Sequence, residues 1–275
     1  MGTSAFFLPG EGAGTGRRFC LLHEAQGRVA RGAIVYVHPW AEEMNKSRRM
    51  AALQSRAFAS AGYTVLQIDL LGCGDSSGDF ADATWDAWVD DVVRACRWLR
   101  AKVDAPLWLW GLRAGCLLAV DAAAKLDSMP SLLFWQPVMS GKATLQQFLR
   151  LKTAASLFNG TSAEAPSDAR QELAAGRAID IAGYRLAPAL AAGLERASLA
   201  PTLTPTRLLW IEASTRDEPV LLPPSRATIE HWRGAGHEVD ALAVKGPAFW
   251  QTVEIEDAPA LIDASLEALG ARIEA

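Results

Sequence analysis

The stretch Pro106-Leu-Trp-Leu-Trp-Gly-Leu-Arg-Ala-Gly-Cys-Leu-Leu-Ala-Val-Asp121 decides the fold. Its first part, through Trp110, is a short apolar run bounded by proline and glycine, the pattern of a strand buried on both faces. Its last part is rich in alanine and leucine and predicts a helix over Ala114–Leu126. Gly111 and Gly115 flank the junction of strand and helix, and glycine lets two chain segments approach closely. Arg113 stands between these two glycines, in the turn from strand to helix.

Outward from this unit the same alternation continues in both directions. Upstream, Arg17–Glu24 and Ala33–Val37 predict strands joined by a Gly/Arg turn. A helix is predicted from about Lys46 to Ala61, ended by Gly62. The apolar run Tyr63–Asp69 predicts a further strand, followed by the glycine-rich loop Leu71–Gly78. From Trp85, the residues Trp88, Val89, Val92, Cys96 and Leu99 recur at three- and four-residue intervals, the stripe of a helix packed on a sheet. Downstream, strands are expected at Ser131–Gln136, Thr206–Ala213 and Glu238–Val244, with helices at Pro223–Gly234 and Ala258–Leu269. Such a chain is α/β, with a mostly parallel central sheet and helices on both faces. Met139–Pro205 breaks the rhythm with mixed helical pieces, and with interruptions at Asn159-Gly-Thr-Ser162 and Ala165-Pro-Ser167. The expected organisation is a core of residues 1–138 and 206–275 with a cap inserted at 139–205.

At 275 residues and 50% hydrophobic, the chain can bury one large core. Its 27 Lys+Arg against 31 Asp+Glu give a formal charge of -4, with no basic stripe for a phosphate backbone, so nucleic acid is not expected as a partner. Met1–Gly16 has neither a signal-peptide pattern nor a long apolar run, and no membrane span is expected. A cytoplasmic protein follows as the expectation. Cys20, Cys73, Cys96 and Cys116 stand apart without a C-x-x-C pair, which argues against zinc and disulfides; no metal and no cofactor is expected.

The turn Gly111-Leu-Arg-Ala-Gly115 has the spacing of the G-x-S-x-G elbow that carries the nucleophile of α/β hydrolases. His38-Pro39-Trp40, directly after a strand, stands where that family's oxyanion loop usually lies, and the Asp69–Gly78 loop resembles its D-x-x-G-x-G-x-S segment. Together these make Arg17–Leu269 resemble the α/β-hydrolase template. More narrowly, His38–Arg49, Leu70–Gly78 and Gly246–Glu254 resemble the exosortase-A-system-associated hydrolase (type 2) family. That family is bacterial and encoded beside exopolysaccharide and protein-sorting genes, so the resemblance implies such a setting.

The catalytic positions depart from that template. Arginine stays protonated far above physiological pH and can neither attack nor act as a base. Val244–Gln251, where the triad histidine would follow the last strand, contains none. Asp217 stands near the place of the acidic member, without a histidine to orient. Of the four histidines, His23, His231 and His237 are expected at the surface and His38 at the pocket. Cys73, Ser76 and Cys116 are the alternative nucleophiles.

Two roles for Arg113 stand open. One is an ion pair locking the turn to Glu42, Glu43 or Asp217. The other is an anion site, in which its guanidinium fork and the amino end of the following helix bind a carboxylate, phosphate or sulfate. Trp40, Trp135 and Trp250 follow or end predicted strands and should ring the same edge, where indole faces stack on sugar rings or apolar chains. The candidate ligand-binding set is therefore His38, Trp40, Glu42, Glu43, Leu112, Arg113, Ala114, Trp135, Phe249 and Trp250, with Arg113 and Asp217 at triad positions. Three functions fit: a protein binding an anionic, carbohydrate or acyl ligand or an exopolysaccharide-system protein; an ester or thioester hydrolase or acyltransferase using Arg113 as oxyanion stabiliser; or a scaffold with a vestigial pocket.

Overall fold

A computed structural model of the chain describes residues 2–10, 15–158 and 166–270. The strands β1 (Thr3–Pro9), β2 (Arg17–His23), β3 (Gly32–Val37), β4 (Tyr63–Ile68), β5 (Leu107–Leu112), β6 (Ser131–Trp135), β9 (Arg207–Ser214) and β10 (Glu238–Lys245) form one sheet. Their spatial order is β1-β2-β4-β3-β5-β6-β9-β10. β2 runs antiparallel to β1 and β4, and the remaining neighbours are parallel. Thr3–Pro9, where the sequence pattern predicts no element, becomes an edge strand because its Phe6 stacks on Trp98 of a helix beneath the sheet.

Helices α1 (Glu42–Ser60) and α8 (Pro259–Gly270) cover one face; α2 (Trp85–Lys102), α3 (Gly115–Ala123) and α7 (Pro223–Gly234) cover the other. The period of two along each strand divides its side chains between these layers. On β5, Trp108, Trp110 and Leu112 enter the α1/α8 layer, while Leu107 and Leu109 enter the α2/α3 layer. α1 begins at Glu42, about one turn before the predicted start. The carboxylates of Glu42 and Glu43 suit the positive end of the helix dipole, which the apolar periodicity could not register.

Between β6 and β9 the chain forms α4 (Gly141–Phe158), α5 (Pro166–Ala174), the hairpin β7 (Ile179–Ile181) and β8 (Tyr184–Leu186), and α6 (Pro188–Arg196). Ala182 and Gly183 both take positive φ in the hairpin turn, the geometry that suits a two-residue connection. The Asn159–Ser162 interruption and Ala165 lie outside the described residues. Phe148 of α4 packs edge-on against Trp40, and Tyr184 against Phe80, so these elements rest on the carboxyl side of β3 and β4. Among the described residues no helix is long and apolar enough to cross a membrane.

Three of the four histidines are core residues. His23 and His237 are buried rather than superficial. The ring of His237 meets the Thr206 N–H at 3.1 Å and the Thr202 carbonyl at 3.1 Å, pinning the start of β9. His231 alone is exposed.

A buried charge cluster ties β2 to α2. Asp91 is fully buried; it accepts from Arg18 Nε at 2.7 Å, from the Leu71 N–H at 2.9 Å and from Arg94 Nη1 at 3.1 Å. Burial raises its pKa, and the Arg18 guanidinium works in the opposite direction. Removing one partner of such a cluster leaves the other charge buried, at a cost of about 3–5 kcal/mol. Asp91→Ala is therefore expected to lose about that much unfolding free energy in urea titrations, against about 1 kcal/mol or less for a control removal of the exposed Asp90–Lys125 pair.

Candidate active site at the carboxyl edge

The carboxyl ends of β3, β5 and β6 lie side by side, with Val37 opposite Gly111 and Leu112 opposite Trp135. At each of these ends the chain enters the left-handed region at a residue that is not glycine: Ala41 at φ 46°, Arg113 at φ 55° and Gln136 at φ 43°. Each such residue costs about 1–3 kcal/mol. The strain persists because the surroundings dictate the path. A Cβ on Gly115 would lie 2.3 Å from the Val37 carbonyl oxygen, and one on Gly111 would lie 2.7 Å from Cys116 Cα. With the first turn of α3 held this closely to β3, the one residue that turns outward is Arg113.

Its guanidinium is held on two sides. Nε donates to Glu43 Oε1 at 3.2 Å, and the guanidinium carbon lies 5.5 Å from the centre of the Trp250 ring, within cation–π range. The Arg113 and Glu43 side chains are only 15% and 17% exposed. Burial raises the Glu43 pKa above the ordinary carboxylate value, and Arg113 is the main influence lowering it. Of the two roles left open for Arg113, the ion pair is present, with Glu43 as the partner.

The pair opens on a cavity of about 210 Å³. Trp40, Glu42, Glu43, Arg113 and Trp250 line it, joined by Lys46 of α1, by Gln251, and by Thr144, Gln147, Phe148 and Leu151 of α4. The last four recur at three- and four-residue intervals, one face of a helix laid across the elbow. That spacing was present in the sequence, yet it mixes polar and apolar types and carries no core signal. Lys46 Nζ donates to the Gln251 carbonyl at 3.2 Å, tying α1 to the loop after β10. A larger groove of about 760 Å³ lies at the opposite, amino end of the sheet and touches none of these residues.

Five expected contacts do not reach the cavity. Trp135 is fully buried: it points into the α1/α8 layer, packs on Trp110 and Phe249, and donates to Ser265 at 2.8 Å. Ending a strand does not aim a side chain over the edge, because strand side chains stand perpendicular to the sheet. Phe249 and Leu112 are buried in the same layer, and Ala114 in the opposite one. His38 is buried with both ring nitrogens engaged, Nδ1 with the Pro39 carbonyl at 2.8 Å and Nε2 with the Leu70 N–H at 3.4 Å; burial lowers its pKa.

Asp217 is 94% exposed and pairs with Lys245 at 2.7 Å, away from Arg113. The alternative nucleophiles are occupied as well. Ser76 Oγ donates to the Asp69 carbonyl at 2.5 Å and accepts from the Phe19 N–H at 2.8 Å. Cys73 and Cys116 are buried, and burial drives both thiols far above the ordinary value, which makes them poor nucleophiles.

Because Arg113 supplies the largest pKa-lowering influence on Glu43, Arg113→Ala should push the Glu43 pKa further up. A raised folded-state pKa favours the protonated form in the native protein, so its contribution to stability is greatest below the unfolded value and is lost as pH rises through the folded one. The variant's stability deficit should accordingly be largest at neutral pH and shrink on acidification. Carboxyl-carbon NMR titration of Glu43, with urea unfolding from pH 4 to 8, measures both. Arg113→Gly should be more stable than Arg113→Ala by about 1 kcal/mol, since glycine takes the left-handed conformation without the Cβ clash.

A family model described as X-Pro dipeptidyl-peptidase (S15 family) matches residues 26–146, from the turn before β3 to the start of α4. Human Protein ABHD12B is 31% identical over 109 residues, which is 39% of this chain and 29% of that protein; the match thus spans under a third of that relative. Est1E from Butyrivibrio proteoclasticus, solved with ferulic acid bound, superposes with a TM-score of 0.64 at 16% identity over 97% of each chain. XC6422 from Xanthomonas campestris, an α/β serine hydrolase without a lid, superposes with a TM-score of 0.57 at 17% identity over 98% of this chain and 94% of that one. With the strand order and the glycine-flanked turn, these similarities establish that the chain has the α/β-hydrolase fold.

Proposed function

We propose that this hydrolase-like protein binds a small molecule in the carboxyl-edge cavity and does not carry out Ser-His-Asp hydrolysis. The observation that carries the reading is Arg113. At the left-handed apex of the elbow, where a hydrolase presents its nucleophile, it is instead locked to Glu43 and Trp250 and walls a cavity. In a Ser-His-Asp enzyme, loss of the serine or the histidine alone costs about 10⁶ in kcat. This chain has neither at the corresponding positions, and its acidic candidate, Asp217, faces solvent.

In this reading residues 139–205 act as a cap whose α4 closes one side of the site. The ligand is an anionic, carbohydrate or acyl small molecule, or a segment of a partner protein. The resemblance to exosortase-associated hydrolases supports a bacterial, cytoplasmic setting beside exopolysaccharide synthesis.

A second reading draws on the S15 family match. Arg113 would stabilise an oxyanion while water attacks an ester, thioester or amide. Steady-state assays of short and long aryl esters and thioesters with wild type and Arg113→Ala separate the two. We expect neither protein to exceed the buffer rate; turnover by wild type that disappears in Arg113→Ala would replace the binding reading with the catalytic one.

A further inference from the structure

β1 closes one end of the sheet, and its outer edge is unpaired among the described residues. Two bonds at the ends of the strand fix which groups lie on that edge: the Glu24 N–H donates to the Gly2 carbonyl, and the Gly10 N–H to the Gly16 carbonyl. With Thr3 opposite His23 and Pro9 opposite Arg17, the even-numbered residues of β1 bond to β2. Thr3, Ala5 and Phe7 therefore turn both N–H and C=O outward. Pro9 has the same orientation but no N–H.

Edge strands that stay single commonly carry charge or a mid-strand proline. The opposite edge, β10, follows that rule with Glu238, Asp240 and Lys245. β1 reads Thr3-Ser-Ala-Phe-Phe-Leu-Pro9, without a charge, and Phe7 is 46% exposed. Its side chains are also sorted by size: Gly2, Thr3 and Ser4 are small, Phe6, Phe7 and Leu8 are large, and Ala5 stands between. An antiparallel copy turned about Ala5 sets each large side chain against a small one, Phe6 against Ser4, Phe7 against Thr3 and Leu8 against Gly2. In that register Ala5 exchanges both backbone bonds with its own counterpart, and Thr3 exchanges both with Phe7. Centring the pair on Phe6 or Phe7 instead brings Pro9 opposite Thr3 or Ala5, where its missing N–H leaves a carbonyl unmatched.

The side toward α2 has room for an added strand. A groove of about 760 Å³ is lined by Ser4, Phe6 and Trp98, and another of about 560 Å³ by Leu8, Pro9 and Trp98. Phe6 and Leu8 face this side of the sheet. Phe6 of a second copy, opposite Ser4, enters the larger groove.

We infer that β1 is a self-association surface: two copies of this chain pair antiparallel through β1, centred on Ala5, and join their sheets into one. The interface is isologous and closes at two copies. It is independent of what the carboxyl-edge cavity binds.

Sedimentation velocity of the full chain, loaded from about 1 to about 300 μM, should show a mass rising from 29.5 kDa toward twice that value. The Ala5 N–H points away from β2, so Ala5→Pro spares the bonds between β1 and β2 and removes one at the dyad. It should raise the dimer dissociation constant about tenfold or more. Phe7→Glu puts a charge on the edge and should weaken association similarly, with folding of both variants checked by circular dichroism. Facing Cα atoms in a hydrogen-bonded antiparallel pair lie ~5.5 Å apart, within disulfide range. Under mild oxidation Ala5→Cys should cross-link into a covalent dimer, and a mixture of Thr3→Cys with Phe7→Cys should do so where neither does alone. The native cysteines are buried and supply no background.

A wild-type chain that sediments as a monomer throughout, with freely exchanging Thr3, Ala5 and Phe7 amides, would overturn the inference and leave the edge to a strand of another protein. A dimer that survives Phe7→Glu and gives no cross-link in Ala5→Cys would overturn it as well, by placing the interface elsewhere.

Discussion

The architecture of the site rests on one steric constraint: the amino end of α3 lies against the end of β3 with no room for a side chain between them. The gap at Gly115 is bounded by main-chain carbonyls of Val37 and His38, which cannot rotate aside. This fixes the approach of helix to strand and forces the intervening residue into the left-handed region. Arg113 is thereby aimed outward with little freedom of backbone. An arginine is an expensive occupant, since its long side chain loses rotamer entropy when held; Glu43 and Trp250 offset that loss by engaging its edge and its face.

The electrostatics follow from the same placement. Glu43 sits in the first turn of α1, where the helix dipole already favours a carboxylate, and burial disfavours its charge. The guanidinium restores part of what burial removes. The consequence is a cavity wall in which the guanidinium of Arg113 is engaged by Glu43 within the protein. Charge at a site is a property of the assembled neighbours, and one residue type does not determine it.

Much of the fold was legible because its signals are local. The apolar strands of β3 to β6, the stripe of α2 and the glycines around Arg113 all state their structure within a few residues. What escaped is what depends on distant partners. β1 is held by its contact with Trp98, and the buried state of His237 comes from carbonyl and amide groups at the start of β9. Within the site, Trp40 and Trp250 were placed by position along the chain, whereas Trp135 needed its direction out of the sheet, which depends on the strand's register. The contribution of α4 was hidden for a different reason: Thr144, Gln147, Phe148 and Leu151 form a helical stripe of mixed polarity, and hydrophobic periodicity is blind to a face that lines a wet cavity.

The condition of Asp217 bears on how the three triad positions relate to one another. In a Ser-His-Asp site the carboxylate is held in place by the histidine it orients, so the three positions are coupled through hydrogen bonds. With arginine at the elbow and no histidine after β10, nothing remains to draw a carboxylate inward, where desolvation would penalise its charge. Asp217 instead lies in solvent beside Lys245, an exposed pair of the kind that contributes little to stability. The strain at Ala41, Arg113 and Gln136 behaves differently, because close backbone packing maintains it without any catalytic partner. The elbow's shape therefore rests on the packing of its backbone. A cavity at the carboxyl edge is thus held in shape around an apex residue whose side chain is engaged by Glu43 and Trp250.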